Sequence, residues 1–396
     1  MEVMKCTAPS SLWHLVAVVP IPRRTVYNSS TVMENRIPFT AACRTTAMGI
    51  MPHRDIEKAL KLALSLDIPF WPQLPNTSFY EDMYVQASEG FPGITVDLEN
   101  KKLHFDRARF DAGLGNYSER MNDPRNFELT PEYSAVFHRF LTLDLAPYAA
   151  IRGQYIGPVS FGFRVTDAEN KPIIYDDGVR SLLFDFLQRK INVQLGQLRR
   201  KNPHAFIWLD EPGLGWVFSG LSGYDDVLAK REYHDFLDGI EGVKALHLCA
   251  NVNLPYLLSM GINLLSFDAY QLELMPKGYA EAVAGFIRQG GVIAWGIVPT
   301  DSVSLGSETP ESLFKRLAEY WDVVARNAGL PAADIARQAL IAPARCCLKN
   351  IGRVGAAGES GTCPAADAST EEERVVEKAF SYLASLSSLL RDSFRL

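Results

Sequence analysis

The sequence predicts an α/β fold, a single (β/α)8 TIM barrel with an elaborated loop after its second strand. Three observations lead there. Short apolar runs alternate with amphipathic stretches, and alternation of that kind implies a parallel sheet with helical crossovers. Eight such runs fall within one stretch of domain size, which is the strand count of a closed barrel. The last five runs end in side chains able to bind metals or move protons, and barrel active sites lie at that end of the strands.

In chain order the strand candidates are residues 44–49, 68–73, 150–161, 205–210, 245–249, 264–268, 292–298 and 340–345. They are short and mostly apolar, as strands covered on both faces should be. The helix candidates are residues 55–66, 132–141, 178–199, 225–239, 254–260, 278–289, 311–329 and 371–391. Residues 74–130 break the alternation with Pro, Asn, Gly and aromatic residues. Within them 94–98 and 102–105, joined through Glu99-Asn100-Lys101, read as a β-hairpin. This insertion is either structural or a substrate lid over the barrel mouth.

With 396 residues, 47% of them hydrophobic, the chain is too long for a mini-protein and too apolar for a disordered one. Its 40 basic and 46 acidic side chains leave a net charge of -6. That balance gives no basic footprint for nucleic acid and no polybasic membrane anchor. The apolar run 12–21 is broken by His14 and Pro20, too short to span a membrane. It also lacks the flanks of a signal peptide, so the expected compartment is cytoplasmic. Residues 1–36 carry Ser, Thr and Pro without a period and read as a poorly ordered or accessory N-terminal extension; residues 37–396 read as the catalytic barrel domain. Residues 355–370, rich in Ala, Gly and Ser, read as a mobile loop. The six cysteines are too sparse for a disulfide framework. In a reducing compartment they are structural thiols, nucleophiles or metal ligands.

The strand ends carry the chemistry. The fourth ends Leu209-Asp210-Glu211-Pro212, the fifth His247-Leu248-Cys249, the sixth Ser266-Phe267-Asp268, the seventh Val298-Pro299-Thr300-Asp301 and the eighth Arg345-Cys346-Cys347. Residues two apart on a strand share a face, so His247 and Cys249 both point toward the barrel axis. One imidazole and one thiolate on one face suit Zn2+. Cys346 or Cys347 would close the site from the eighth strand, and Asp268 would add an oxygen. The competing reading is a buried thiol beside a core histidine. Asp210 either caps a turn or holds a substrate ammonium group, and Asp301 is a cap or an acid/base group. Gly213-Leu214-Gly215 lacks the third glycine of a dinucleotide fingerprint.

With those residues in view, the chain resembles the C-terminal catalytic barrel of cobalamin-independent methionine synthase, within the uroporphyrinogen decarboxylase/methionine synthase-like superfamily. His247-Leu248-Cys249, then Asp268, then Cys346-Cys347-Leu348-Lys349 follow the family's zinc motif, with Cys346 as the aligned ligand. Leu209-Asp210-Glu211-Pro212 matches a motif whose Asp contacts the amino group of homocysteine, and Gly157-Pro158-Val159-Ser160 matches a Gly-Pro-Val-Thr strand. The family's Gly-Ser-Phe-Pro turn, which touches the amino-acid substrate, is Gly49-Ile50-Met51-Pro52 here, without the serine hydroxyl. Positions that contact folate fall at Arg164 and Trp216, the catalytic histidine falls near Asp301, and a second acidic contact to homocysteine falls near Phe79.

The resemblance therefore implies a retained zinc centre, held by His247, Cys249, Asp268 and Cys346, and a lost folate site. It implies methyl transfer to a small-molecule thiol of the homocysteine type, as in methionine biosynthesis. Gly49, Ile50 and Asp210 then bind the substrate, and Asp301 serves as a proton relay. Methyltetrahydrofolate is not the expected donor; a corrinoid protein is one carrier that could replace it. Two other readings stand beside this one. A cofactor-free decarboxylase would use Arg44 and Arg54 on a polycarboxylate, and a zinc-containing binding protein would have no turnover.

Overall fold

In the computed structural model, residues 37–249, 252–346 and 366–396 are described, the side chains of 366–370 excepted. The extension read over 1–36, Cys347 and the loop as far as 365 lie outside them. Nine strands occur among the described residues: β1 (Arg44–Thr45), β2 (Ile94–Asp97), β3 (Lys102–Phe105), β4 (Arg152–Ile156), β5 (Phe206–Asp210), β6 (Lys244–Leu248), β7 (Leu264–Asp268), β8 (Val292–Val298) and β9 (Ala339–Pro343). Seven of them form one parallel sheet in the order β1-β9-β8-β7-β6-β5-β4, and β2 pairs with β3 in an antiparallel hairpin. Helices follow most of the parallel strands, as right-handed crossovers require.

The expected closed barrel of eight regular strands does not form. Its second strand candidate, 68–73, is extended and lies between β1 and β4, but it touches its neighbours only through isolated bridges, Phe70 to Arg152 and Ile50 to Gln73. Ile68 N donates to Thr45 O at 3.0 Å, Trp71 N to Arg152 O at 3.1 Å and Gln73 N to Gly49 O at 2.7 Å. Pro69 and Pro72 have no N–H, so no continuous ladder can run through them. The result is a curled seven-stranded sheet whose two edges are spanned by an irregular segment.

The strand expected over 150–161 is also corrected. β4 stops at Ile156, Gly157 stays extended, and Pro158 opens the helix Pro158–Arg164. Proline suits that first helical position because its missing N–H would have no partner there. Shorter helices not expected from the sequence include Met83–Ser88, Leu214–Phe218 and Ser302–Ser307. In contrast, β7 and β8 span the expected residues, and the hairpin pairs Ile94 with Phe105.

Alternate residues of the strands fill the inside of the curl. Phe206, Trp208, Ala245, Leu264, Val292, Ala294, Leu340 and Ala342 form one buried cluster with Ile68 and Ala150. Each large side chain withdrawn from water there contributes about 2 kcal/mol. The amino-terminal end of the curl is stoppered by Ile37 and by Phe39, whose ring stacks on Phe206 at 5.6 Å. The larger cluster on the outer face packs the sheet against the helices. Closed below and walled by helices, the sheet opens at the carboxyl ends of its strands, where the polar side chains gather.

Candidate active site at the strand ends

Going up β5 the inward residues are Phe206, Trp208 and Asp210, so the last inward position changes from apolar to acidic. Asp210 is buried, and Gln154 on β4 donates from Nε2 to its Oδ2 at 2.7 Å. Its Oδ1 has no hydrogen-bond partner among the described residues. Burial pushes the Asp210 carboxyl up to about 7, against the opposing pull of Gln154 and Arg152. Arg152 lies deeper, fully buried, its guanidinium 4.2 Å from the Trp208 ring and 5.2 Å from Phe70. Burial brings it down to about 9.

His247 on β6 is the register partner of Asp210 on one side and Ser266 on the other. Its Nδ1 lies 3.0 Å from Ser266 Oγ, and its Nε2 has no partner among the described residues. Burial, aided by Arg152, lowers it to about 3, which favours the neutral imidazole. Cys249 follows β6, and burial pushes its thiol up to about 11; Asp210 and Asp268 push the same way and Arg345 opposes. These groups are therefore close enough to act on one another. Asp268 ends β7, buried, and is gripped by Arg345 Nε at 2.6 Å. Gln271 N donates to its other oxygen at 3.1 Å. Cys346 follows β9, half-buried, and acts electrostatically on Arg152.

The donor types suit zinc: an imidazole with an orphaned, buried Nε2, the Cys249 thiol, which burial keeps protonated at neutral pH unless a cation is near, and the Cys346 sulfur. The carboxylate is less available, because Arg345 holds it. Among the described residues no group of three or more His, Cys, Asp or Glu is arranged as it stands to hold a metal ion. The donors fit such an ion in kind, and His247 Nε2 is the atom that would anchor it.

The other expected site residues divide. Gly49 is at the site, its amide donating to Gln154 Oε1. Ile50 is buried beside it, bridged to Gln73. Asp301 is not drawn into the cluster: it is exposed and caps the helix Ser302–Ser307, accepting from Ser304 N at 2.8 Å. Although burial acts to raise its carboxyl, the cap bonds outweigh it and the net shift is downward. Arg44, which a decarboxylase would use, opens β1 at the opposite, amino-terminal end and bonds Thr40 O. Arg164 is exposed, and Trp216 is 67% exposed.

Three residues at the site carry no signal in the sequence. Arg152 and Gln154 sit in a strand candidate whose polar residues form no motif. Arg345 is overshadowed by the two cysteines beside it. Glu211, by contrast, serves the fold. Its carboxylate accepts from Val159 N at 3.1 Å, Ser160 N at 2.8 Å and Ser160 Oγ at 2.6 Å, tying β5 to the helix Pro158–Arg164.

No family model matches the chain, and no curated protein matches it. Among solved structures, a methyltransferase from Methanosarcina mazei matches with a TM-score of 0.46 and 16% identity, over 91% of this chain and 95% of that one. A B12-independent methionine synthase from Shewanella sp. W3-18-1, in complex with selenomethionine, matches with a TM-score of 0.39 and 14% identity. That match covers 62% of this chain and 63% of the synthase, so this chain spans less than two thirds of its length.

Proposed function

We propose that the protein transfers a methyl group to a small thiol, with zinc held by His247, Cys249 and Cys346 and with Asp268 in the fourth position. The observation that carries this reading is the fully buried His247, whose Nε2 has no partner among the described residues, at the same strand ends as the Cys249 thiol and an Asp210 Oδ1 likewise without one. When bound, the metal would supply a positive centre that ionises a coordinated thiol, whose ordinary pKa near 8.5 leaves it mostly protonated at neutral pH.

The chain's own residues do the rest. Asp210, an acid poised near neutrality, takes the acceptor's ammonium group. Ser266 fixes the His247 ring through Nδ1, as outer partners of ligating histidines do. Arg345 holds Asp268 until a cation competes for it. The acceptor sulfur then forms a bond to the methyl carbon as the carrier–carbon bond breaks, the electron pair leaving with the carrier. An exposed arginine at 164 and an exposed tryptophan at 216 stand where folate contacts would fall, which favours a corrinoid carrier over methyltetrahydrofolate.

The test is zinc content and methyl transfer from methylcobalamin to L-homocysteine, in the wild type and in Cys249→Ser. Stoichiometric zinc and product in the wild type, both lost in the variant, support the reading. A zinc-free, active wild type overturns it.

A further inference from the structure

Gln154 occupies the inner face of β4 with 1% exposure. A carboxamide buried there carries a desolvation cost unless both of its ends are bonded. Both are. Its Oε1 accepts from the Gly49 amide and from Arg152 Nη1 at 3.4 Å. Its Nε2 donates to Asp210 Oδ2 at 2.7 Å. A flipped carboxamide would set its NH2 against two donors and its oxygen against a carboxylate, so only one orientation is tolerated. The backbone is held as well: Gln73 Nε2 donates to Gln154 O at 3.3 Å and to Gln86 Oε1 at 2.9 Å.

Gly49 is part of the same device. A Cβ at this position would lie 3.0 Å from Gln154 Oε1 and 3.2 Å from Gln154 Cβ. A side chain at 49 would press on the carboxamide, which would have to give by a few tenths of an ångström. The turn after β1 is thus wired to the acid at the end of β5 through one amide group. With Oδ2 occupied, Oδ1 is the oxygen of Asp210 that has no partner among the described residues.

We infer that Gln154, locked by Gly49 and Arg152, is the positioning residue that fixes the Asp210 carboxylate and leaves Oδ1 as the face that receives the acceptor's ammonium group. The inference rests on the proposed aminothiol acceptor and narrows it: the acceptor is a thiol with a free amine, and its selection over an amine-free thiol depends on Gln154. Fixing one oxygen in a buried, low-dielectric site holds the other in place without reorganisation when the cation arrives.

The test uses the full-length protein and two ligands, L-homocysteine and its amine-free analogue 4-mercaptobutyrate, measured by calorimetry. Gln154→Met keeps the length of the side chain and removes both polar ends. It should weaken homocysteine about tenfold, the size of one lost hydrogen bond to a charged group, and leave mercaptobutyrate unchanged. Gly49→Ala should act in the same direction from the other end of the relay. Equal weakening of both thiols would make Gln154 a packing residue, and no change in either would remove it from the site; each result overturns the inference. Should the wild type bind neither thiol, the acceptor reading falls. The relay is then judged in the free protein by the Gln154 side-chain amide resonances, which Asp210→Ala must shift. Unmoved resonances overturn the positioning role as well.

Discussion

Arg345 Nε lies 2.6 Å from Asp268 Oδ2, an ion pair that joins the end of β7 to the residues just after β9. The carboxylate is 4% exposed and the guanidinium 38%, so one partner is desolvated and the other still meets water. The pair occupies the one oxygen ligand that the zinc reading needs. Without a metal, this contact ties the ends of β7 and β9 together; with one, Arg345 and the ion would compete for the same carboxylate.

Removing the competitor should therefore favour the ion. Arg345→Met is expected to tighten zinc binding about tenfold, within the range for changes around metal ligands, as read by competition with a chromogenic chelator. Its cost to stability should exceed the ~1 kcal/mol of an exposed pair, because the Asp268 carboxylate left behind is buried. Unchanged zinc affinity would remove Asp268 from the ligand set.

Gly157 tests the tie between β5 and the helix that follows β4. A Cβ there would lie 2.0 Å from Glu211 Oε1 and 2.3 Å from its carboxyl carbon. Gly157→Ala must dislodge a buried carboxylate from three donors, and we expect a loss of about 3 kcal/mol or more in urea unfolding. A loss below about 1 kcal/mol would mean that Glu211 moves aside easily.

Lys190 gives a pH signature away from the site. Its ammonium is fully buried, donates to Glu89 O at 2.9 Å and lies 3.4 Å from Glu89 Oε2. Burial lowers it to about 8, with Glu89 opposing. Between about 8 and the unfolded value near 10.4, the unfolded chain binds a proton that the native protein does not, so this group's contribution makes stability rise with pH in that window. Lys190→Met should flatten that rise in unfolding experiments run from pH 8 to 10.5. An identical slope in both proteins would show that Lys190 titrates normally.

Much of the fold is legible in the sequence because its strands are short apolar runs with both faces covered. β7 and β8 are of this kind and occur where expected. The second candidate, 68–73, has the same apolar character, but Pro69 and Pro72 take two donors out of the ladder, and the sheet stays open at that place. The candidate over 150–161 breaks at Gly157-Pro158, which end a strand and begin a helix; an apolar run by itself cannot tell the two apart.

The site divides along similar lines. His247 is visible because it is an inward residue near the end of a strand candidate; Cys249, expected to share its face, lies one residue beyond β6. Asp301 is ambiguous, since the same side chain before Ser302 suits a cap as well as a proton relay, and the structure uses it as a cap. Gln154 is invisible: its meaning comes from Gly49 and Asp210, each more than fifty residues away along the chain.

The central claim is a thiolate-rich zinc centre built on His247, and X-ray absorption at the zinc edge of the purified full-length protein tests it most directly. The account predicts bound zinc with about two sulfur neighbours near 2.3 Å and nitrogen or oxygen near 2.0–2.1 Å, with one sulfur lost in Cys249→Ser. Protein that binds no zinc, or binds it through nitrogen and oxygen alone, would contradict it.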